Sequence, residues 1–184
     1  MKKFNRLLLL IIGLVLILIL LLLLIFSLQK FNQSDENLPQ IAEKIEKLIP
    51  KKSEVGISNS FACEMPSIEI DGCNFIGLIE VPSYGIKLPI YSEFEEYMPK
   101  VYSRNNDSSF VIEGRYSENQ FSFADKIEVG EQIIFTDLYG NVFRYKVKRI
   151  THSDNANPEK FQSDKQDLTI FVKHNSSYII IHSE

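Results

Sequence analysis

The feature that most restricts the fold of this chain is an unbroken apolar run over residues 7–26, LLLLIIGLVLILILLLLLIF. At the helical rise of about 1.5 Å per residue, twenty residues extend about 30 Å, the hydrocarbon thickness of a bilayer. No face of the run is polar, so it does not suit a helix on the surface of a soluble domain. We therefore expect residues 7–28 to form a transmembrane anchor.

The orientation of this anchor follows from the charges before it. Lys2, Lys3 and Arg6 place residues 1–6 in the cytoplasm, because cytoplasmic flanks carry the excess of cations. A cleaved signal peptide is the alternative, but its apolar core usually spans about 7–15 residues and ends in a small-x-small site. Neither property fits here. We expect a single-pass membrane protein with its C-terminal domain outside the cell.

The remaining chain is acidic and of ordinary size for one domain. Without the three N-terminal cations, 17 of the 20 Lys and Arg residues stand against 24 Asp and Glu residues. Nucleic acid binding depends on cations that neutralise phosphates, so we expect no nucleic acid partner.

Residues 29–66 are expected to form a polar stalk and a short amphipathic helix. Ile41, Ile45 and Leu48 fall on one face at helical spacing, and Pro50 ends the element. We expect this helix to pack on the domain that follows, and a partner-binding helix is the alternative.

Residues 67–184 change to short apolar runs separated by turn residues. Residues 142–150 alternate apolar with basic side chains, as in a half-buried strand, and Gly140-Asn141 marks a hairpin. Many short strands with little helix indicate a mainly β domain that closes as a barrel or sandwich. The expected strands are 67–70, 76–82, 87–92, 109–113, 132–137, 142–150, 168–173 and 178–182.

Seven segments also follow one another in a distinctive order. They are Ile76–Pro82, Gly85–Tyr91, Phe110–Gly114, Phe121–Asp125, Ile127–Ile133, Asp137–Asn141 and Leu168–Phe171. This ordered set resembles the sortases, membrane-anchored cysteine transpeptidases of Gram-positive cell surfaces, and within them the small class B-like branch. The resemblance implies an eight-stranded β-barrel over residues 67–184 and a site of His, Cys and Arg.

All three implied catalytic positions carry other residues. Arg115 stands where the histidine would follow Gly114, Lys173 where the cysteine would end its strand, and Tyr178 where the arginine would begin the last strand. A lysine amine has an unperturbed pKa of about 10.4, and arginine cannot transfer protons at ordinary pH. A buried neutral lysine as nucleophile is the less favoured alternative.

The resemblance therefore favours a catalytically inactive sortase homologue. Arg115, Lys173, His174, Tyr178 and Glu113 are the predicted substrate-binding residues, lining the groove that the catalytic site would occupy. Two cations in a concave site suit a carboxylate or phosphate. The expected partners are the membrane and a surface-protein peptide, a wall polymer or an active sortase.

The two thiols leave further alternatives open. Cys63 and Cys73 are compatible with a disulfide, with two inert thiols, or with a displaced catalytic cysteine. The last would make the chain an active transpeptidase or hydrolase that anchors surface proteins, and an unrelated β-rich surface domain is the third hypothesis. We expect no metal and no cofactor, since the cysteines lack neighbouring histidines and no glycine-rich phosphate loop is present.

Overall fold

The computed structural model describes residues 12–25, 37–50, 66–92, 99–104, 110–154 and 168–184. Residues 1–36 and 37–184 form two separate compact units. In the first, residues 12–25 are helical and their large apolar side chains are exposed. Among the described residues, no helix is both long enough and apolar enough to cross a membrane. The rest of the predicted anchor, the predicted cytoplasmic tail and most of the predicted stalk lie outside the described residues.

In the described residues of the second unit, nine strands form one sheet. Their spatial order is β1-β2-β3-β4-β5-β8-β9-β7-β6, and β2 also pairs with β6. This second pairing closes β2 through β9 into an eight-stranded barrel, and β1 lies beside β2 outside the ring. The strands are β1 (Ile68–Ile70), β2 (Cys73–Val81), β3 (Ile86–Tyr91), β4 (Lys100–Arg104), β5 (Phe110–Arg115), β6 (Gln132–Asp137), β7 (Val142–Ser153), β8 (Leu168–His174) and β9 (Ser177–Ser183).

The predicted mainly β fold with an eight-stranded barrel is confirmed, although its eight members differ from the eight expected runs. Every expected run corresponds to a strand, but the first of them is β1, outside the closed ring. The strand that completes the ring is β4, which the sequence pattern missed. It is five residues long and polar at both ends, and it joins β3 through a single residue pair, Tyr91 with Lys100. So short a ladder leaves little periodicity to detect.

Strand alternation gives the sheet an inner and an outer face. The inner-facing side chains of β5, β8 and β9 belong to the main core, and they are Phe110, Ile112, Leu168, Ile170, Val172, Ile179 and Ile181. On the outer face, Val111, Phe171 and Ile180 form a second, smaller buried cluster, and Tyr178 packs against it. Both faces of this part of the sheet are therefore buried, as a strand without polar alternation requires.

Helix α1 (Leu38–Leu48) packs on the barrel, as expected for the amphipathic segment. Leu38, Ala42 and Ile45 are buried in the main core, whereas Leu48 is exposed. The helix ends because Ile49 precedes a proline and adopts an extended conformation.

The predicted hairpin between β6 and β7 is organised by one buried carboxylate. Asp137 is 5% exposed, and its Oδ1 accepts hydrogen bonds from the backbone N–H groups of Tyr139 at 2.9 Å and Asn141 at 2.8 Å. Its Oδ2 accepts a third from Asn141 Nδ2 at 2.8 Å. Such Asx-type bonds fix a turn without help from the strands.

Asp137→Asn should destabilise the domain by about 1–2 kcal/mol, because an amide nitrogen cannot accept the third hydrogen bond and the remaining two lose their charge assistance. The free energy of unfolding from urea denaturation measures the effect. Asp71→Asn is the matched control, since Asp71 is exposed and its ion pair with Lys44 lies on the surface. Equal effects of the two substitutions would contradict this account of the hairpin.

Candidate functional site

The three positions that the resemblance assigns to the triad lie side by side on neighbouring strands. Arg115 of β5 is the Cα partner of Lys173 of β8, and Lys173 is the partner of Tyr178 of β9. We call Arg115, Lys173 and Tyr178 the cross-strand row. Neighbouring strands lie about 4.8 Å apart, so adjacent members of the row can contact the same small group.

By strand alternation the cross-strand row belongs to the outer face of the sheet. Arg115 is 8% exposed, with Nε and Nη1 screened from solvent, whereas Lys173 is exposed and Tyr178 is half-buried. The row therefore combines a cation held by its surroundings with one that can move to meet a ligand.

Glu113 lies two residues before Arg115 on the same face, and it contacts a cation that the sequence pattern missed. Lys100 of β4 is its Cα partner, and Lys100 Nζ lies 3.7 Å from Glu113 Oε2. Lys100 is only 5% exposed, and the nearby carboxylate offsets part of the cost of burying this side chain. Glu113, one of the predicted substrate-binding residues, therefore also forms an ion pair with a buried lysine.

The segment after β5 fixes the backbone at Arg115. The Arg115 N–H donates to Oε1 of the fully buried Gln120 at 3.4 Å, and the Arg115 carbonyl accepts from the Phe121 N–H at 3.3 Å. The Tyr116 N–H then donates to the Lys173 carbonyl at 2.8 Å, which ties β5 to β8 one residue beyond the row.

His174 lies on the opposite face of β8 from Lys173. Its ring stacks on Tyr116 with centroids 4.3 Å apart, and the Tyr116 hydroxyl donates to Asp125 Oδ2 at 3.0 Å. That hydrogen bond, together with desolvation, raises the pKa of Tyr116. The structure therefore brings Arg115, Lys173 and Tyr178 together, and places His174 in an aromatic contact at the end of the barrel.

Gly114 is the residue that lets this segment approach the sheet. A Cβ atom at position 114 would lie 2.1 Å from Phe121 Cε2 and 2.4 Å from Cδ2. Phe121 is fully buried, so its ring has little room to move away.

Gly114→Ala should lower the free energy of unfolding by about 1–3 kcal/mol, because the added methyl group overpacks the site beside Arg115. Urea denaturation of Gly114→Ala, Phe121→Leu and the double variant measures the coupling. The double variant should be more stable than the sum of the single effects predicts, since leucine relieves the clash. Additive effects would show that the ring is not the obstacle.

Neither cysteine is among the residues of the cross-strand row. Cys73 begins β2, and β3 and β4 separate that strand from β5, so Cys73 is not part of the cross-strand row. Cys63 lies outside the described residues, so the possible disulfide between Cys63 and Cys73 stays an untested alternative. Within the described part of the chain, no group of three His, Cys, Asp or Glu side chains could hold a metal ion.

Comparison with known proteins identifies the fold. Sortase C from Clostridium perfringens SM101 shares 21% identity with this chain at a TM-score of 0.52, over 60% of this chain and 68% of that one. A Clostridium perfringens sortase D5 transpeptidase shares 18% identity at a TM-score of 0.52, over 85% of this chain and 93% of that one. Listeria monocytogenes sortase A shares 17% identity at a TM-score of 0.52, over 60% and 86%.

These likenesses define the class: the chain has the sortase fold. At such low identities the resemblance establishes the fold alone. Neither a protein-family model nor a curated protein sequence matches the chain. What the chain does must accordingly be argued from its own site residues.

Arg115 and Lys173 give the cross-strand row two positively charged side chains. A guanidinium and an ammonium can both donate charge-assisted hydrogen bonds, and neither residue supplies a thiolate. The Tyr178 hydroxyl adds a neutral donor and acceptor.

The pKa of a thiol placed at position 173 can report the electrostatic potential at the centre of the row. In a Cys63→Ser/Cys73→Ser background, Lys173→Cys should have a thiol pKa about one unit lower than the same variant carrying Arg115→Gln, because the guanidinium stabilises the thiolate. The pH dependence of the alkylation rate measures both values, with the thermal unfolding midpoint as a check on folding. Identical pKa values would show that Arg115 does not act on position 173.

Proposed function

We propose that this chain is a sortase-fold protein that has lost transpeptidase chemistry and binds an anionic group of a cell-surface peptide or wall component. The observation that carries the proposal is the register of the cross-strand row. The three positions implied by the resemblance to sortases are direct neighbours on β5, β8 and β9, and they hold Arg115, Lys173 and Tyr178.

The change of residue types supports binding over catalysis. In the family chemistry implied by the resemblance, a thiolate attacks a peptide carbonyl while a histidine transfers protons. Lysine and arginine at these positions supply positive charge instead. An anion placed between Arg115 and Lys173 relieves the repulsion between two neighbouring cations, and each charge-assisted hydrogen bond contributes about 1.5–3 kcal/mol.

The two cations of the row contribute in different ways. The Arg115 side chain is held by its surroundings with Nε and Nη1 screened from solvent, so it contributes a fixed positive charge beside the ligand. The exposed Lys173 can close on the same group from the solvent side, and the half-buried Tyr178 supplies a hydroxyl next to it. A free peptide carboxylate is therefore the first ligand to test.

The cellular setting is part of the same proposal. Residues 7–28 anchor the protein in the membrane with its N-terminus in the cytoplasm, and the barrel acts outside the cell on a surface-protein peptide or wall polymer, or assists an active sortase. The length of the apolar run and the cations before it support this placement.

The binding proposal can be tested with an acetylated dipeptide that has either a free C-terminal carboxylate or an amide. The carboxylate form should perturb the amide NMR signals of the cross-strand row in the full chain in nonionic detergent, and the amide form should not. Lys173→Gln should weaken carboxylate binding about tenfold, the equivalent of about 1.4 kcal/mol.

Lys47→Gln is the control for this experiment, because it removes an exposed cation on α1. The proposal is wrong if the two peptides bind equally, or if the α1 control weakens binding as much as Lys173→Gln does. Either result would mean that the cross-strand row is not the anion site.

A further inference from the structure

The outer face of β7 carries a line of cations that the proposed function does not use. Arg144, Lys146, Lys148 and Arg149 are four of the twelve residues of this strand, which contains no acidic residue. All four are exposed. Beyond residue 28 the sequence has seven more acidic than basic residues. The positive charge of β7 is therefore opposite in sign to the net charge of this part of the chain.

A β-bulge makes this line continuous. Up to Val147 the strand alternates, with Phe143, Tyr145 and Val147 buried in the core and the residues between them exposed. The pairing of β7 with β9 then shifts register between Val147 and Arg149. An extra residue at a bulge brings two successive side chains to the same side, so Lys148 and Arg149 extend the line that alternation alone would end.

The residues opposite the first two cations on β6 are uncharged. Ile134 is the Cα partner of Arg144, and Gln132 is the Cα partner of Lys146. On the other side, Arg149 Nη2 lies 3.4 Å from His182 Nε2, and Glu184 forms an ion pair with Lys148. The line therefore presents exposed positive charges beside an uncharged stretch of β6.

The geometry of the line selects the shape of its ligand. Alternate residues of a strand are about 7 Å apart, so the cations form a single file about 17 Å long rather than a broad patch. A single file fits a linear chain with a charge on every short repeat better than it fits a flat anionic surface. No aromatic side chain lies on the outer face of β7, so bases would find no stacking platform there.

We propose that the outer face of β7, through Arg144, Lys146, Lys148 and Arg149, binds a linear polymer that carries a phosphate group on each short repeat unit. This binding is separate from the cross-strand row, since it uses different residues. The two surfaces are nevertheless joined along one strand, because Ser153 at the end of β7 is the Cα partner of Tyr178. A polymer on β7 would be aligned toward the row.

Long-chain inorganic polyphosphate is the probe that tests this proposal, added to the full chain in nonionic detergent. It should bind more than tenfold more tightly than orthophosphate at equal total phosphate. Arg144→Gln/Lys146→Gln should weaken it about tenfold and reduce the slope of log affinity against log salt by about two, because each neutralised phosphate releases counterions. Arg144→Lys/Lys146→Arg keeps the charges and should retain both the affinity and the slope.

Two further measurements assign the result to the right surface. Lys44→Gln/Lys47→Gln removes the same net charge from α1 and should change polyphosphate affinity less than twofold. Binding of the acetylated dipeptide carboxylate to Arg144→Gln/Lys146→Gln should stay within twofold of its value in the unsubstituted chain, so a failure of the carboxylate site and a failure of this surface give different patterns.

Three outcomes would overturn the proposal. The first is orthophosphate binding as well as the polymer at equal total phosphate. The second is equal losses in the α1 and β7 double variants, which would show a response to net charge alone. The third is displacement of polyphosphate by micelles doped with phosphatidylglycerol at matched phosphate, which would assign the line to a lipid surface.

Discussion

The barrel depends on the close approach of β2 to β6, because this pairing closes β2 through β9 into a ring and covers the edge that β6 would otherwise expose. Gly77 makes the approach possible. A Cβ atom at this position would lie 2.2 Å from the Thr136 carbonyl oxygen, and a register shift beside it bends β2 toward its second partner. The ladders that join β5 to β8 and β8 to β9, and with them the cross-strand row, are part of the ring that closes at Gly77.

The strand pairing sets the positions of the row independently of the side chains that occupy them. Parallel pairing of β5 with β8 and antiparallel pairing of β8 with β9 put Arg115, Lys173 and Tyr178 next to one another whatever side chains they carry. The inner faces of the same strands are packed with apolar side chains that hold the register. Residues in the row can therefore change without disturbing the core, and the proposed anion binding requires no new fold.

Much of the fold could be predicted because the strands alternate or are apolar throughout. Strand β7 could be predicted because its first residues alternate between buried apolar and exposed basic side chains. Gly140 and Asn141 indicated the hairpin before it. β4 was missed because five residues with polar ends carry no period, and without β4 the contact of Lys100 with Glu113 could not be foreseen. The resemblance to sortases selected Arg115, Lys173 and Tyr178 as the row. That these three residues are neighbours could be known only from the order of the strands in the sheet. The position of His174 was readable in principle, since it follows Lys173 directly and must point the other way.

The single residue pair between β3 and β4 has a mechanical consequence. β4 is joined to β5 by a longer ladder that includes Lys100 opposite Glu113, while Tyr91 alone pairs with it from β3. A ring opens first at its shortest ladder, where the fewest backbone hydrogen bonds must break. Opening there would leave Lys100 and Glu113 together on one side of the gap. The barrel would then widen between β3 and β4, while Lys100 and Glu113 would keep their positions relative to each other.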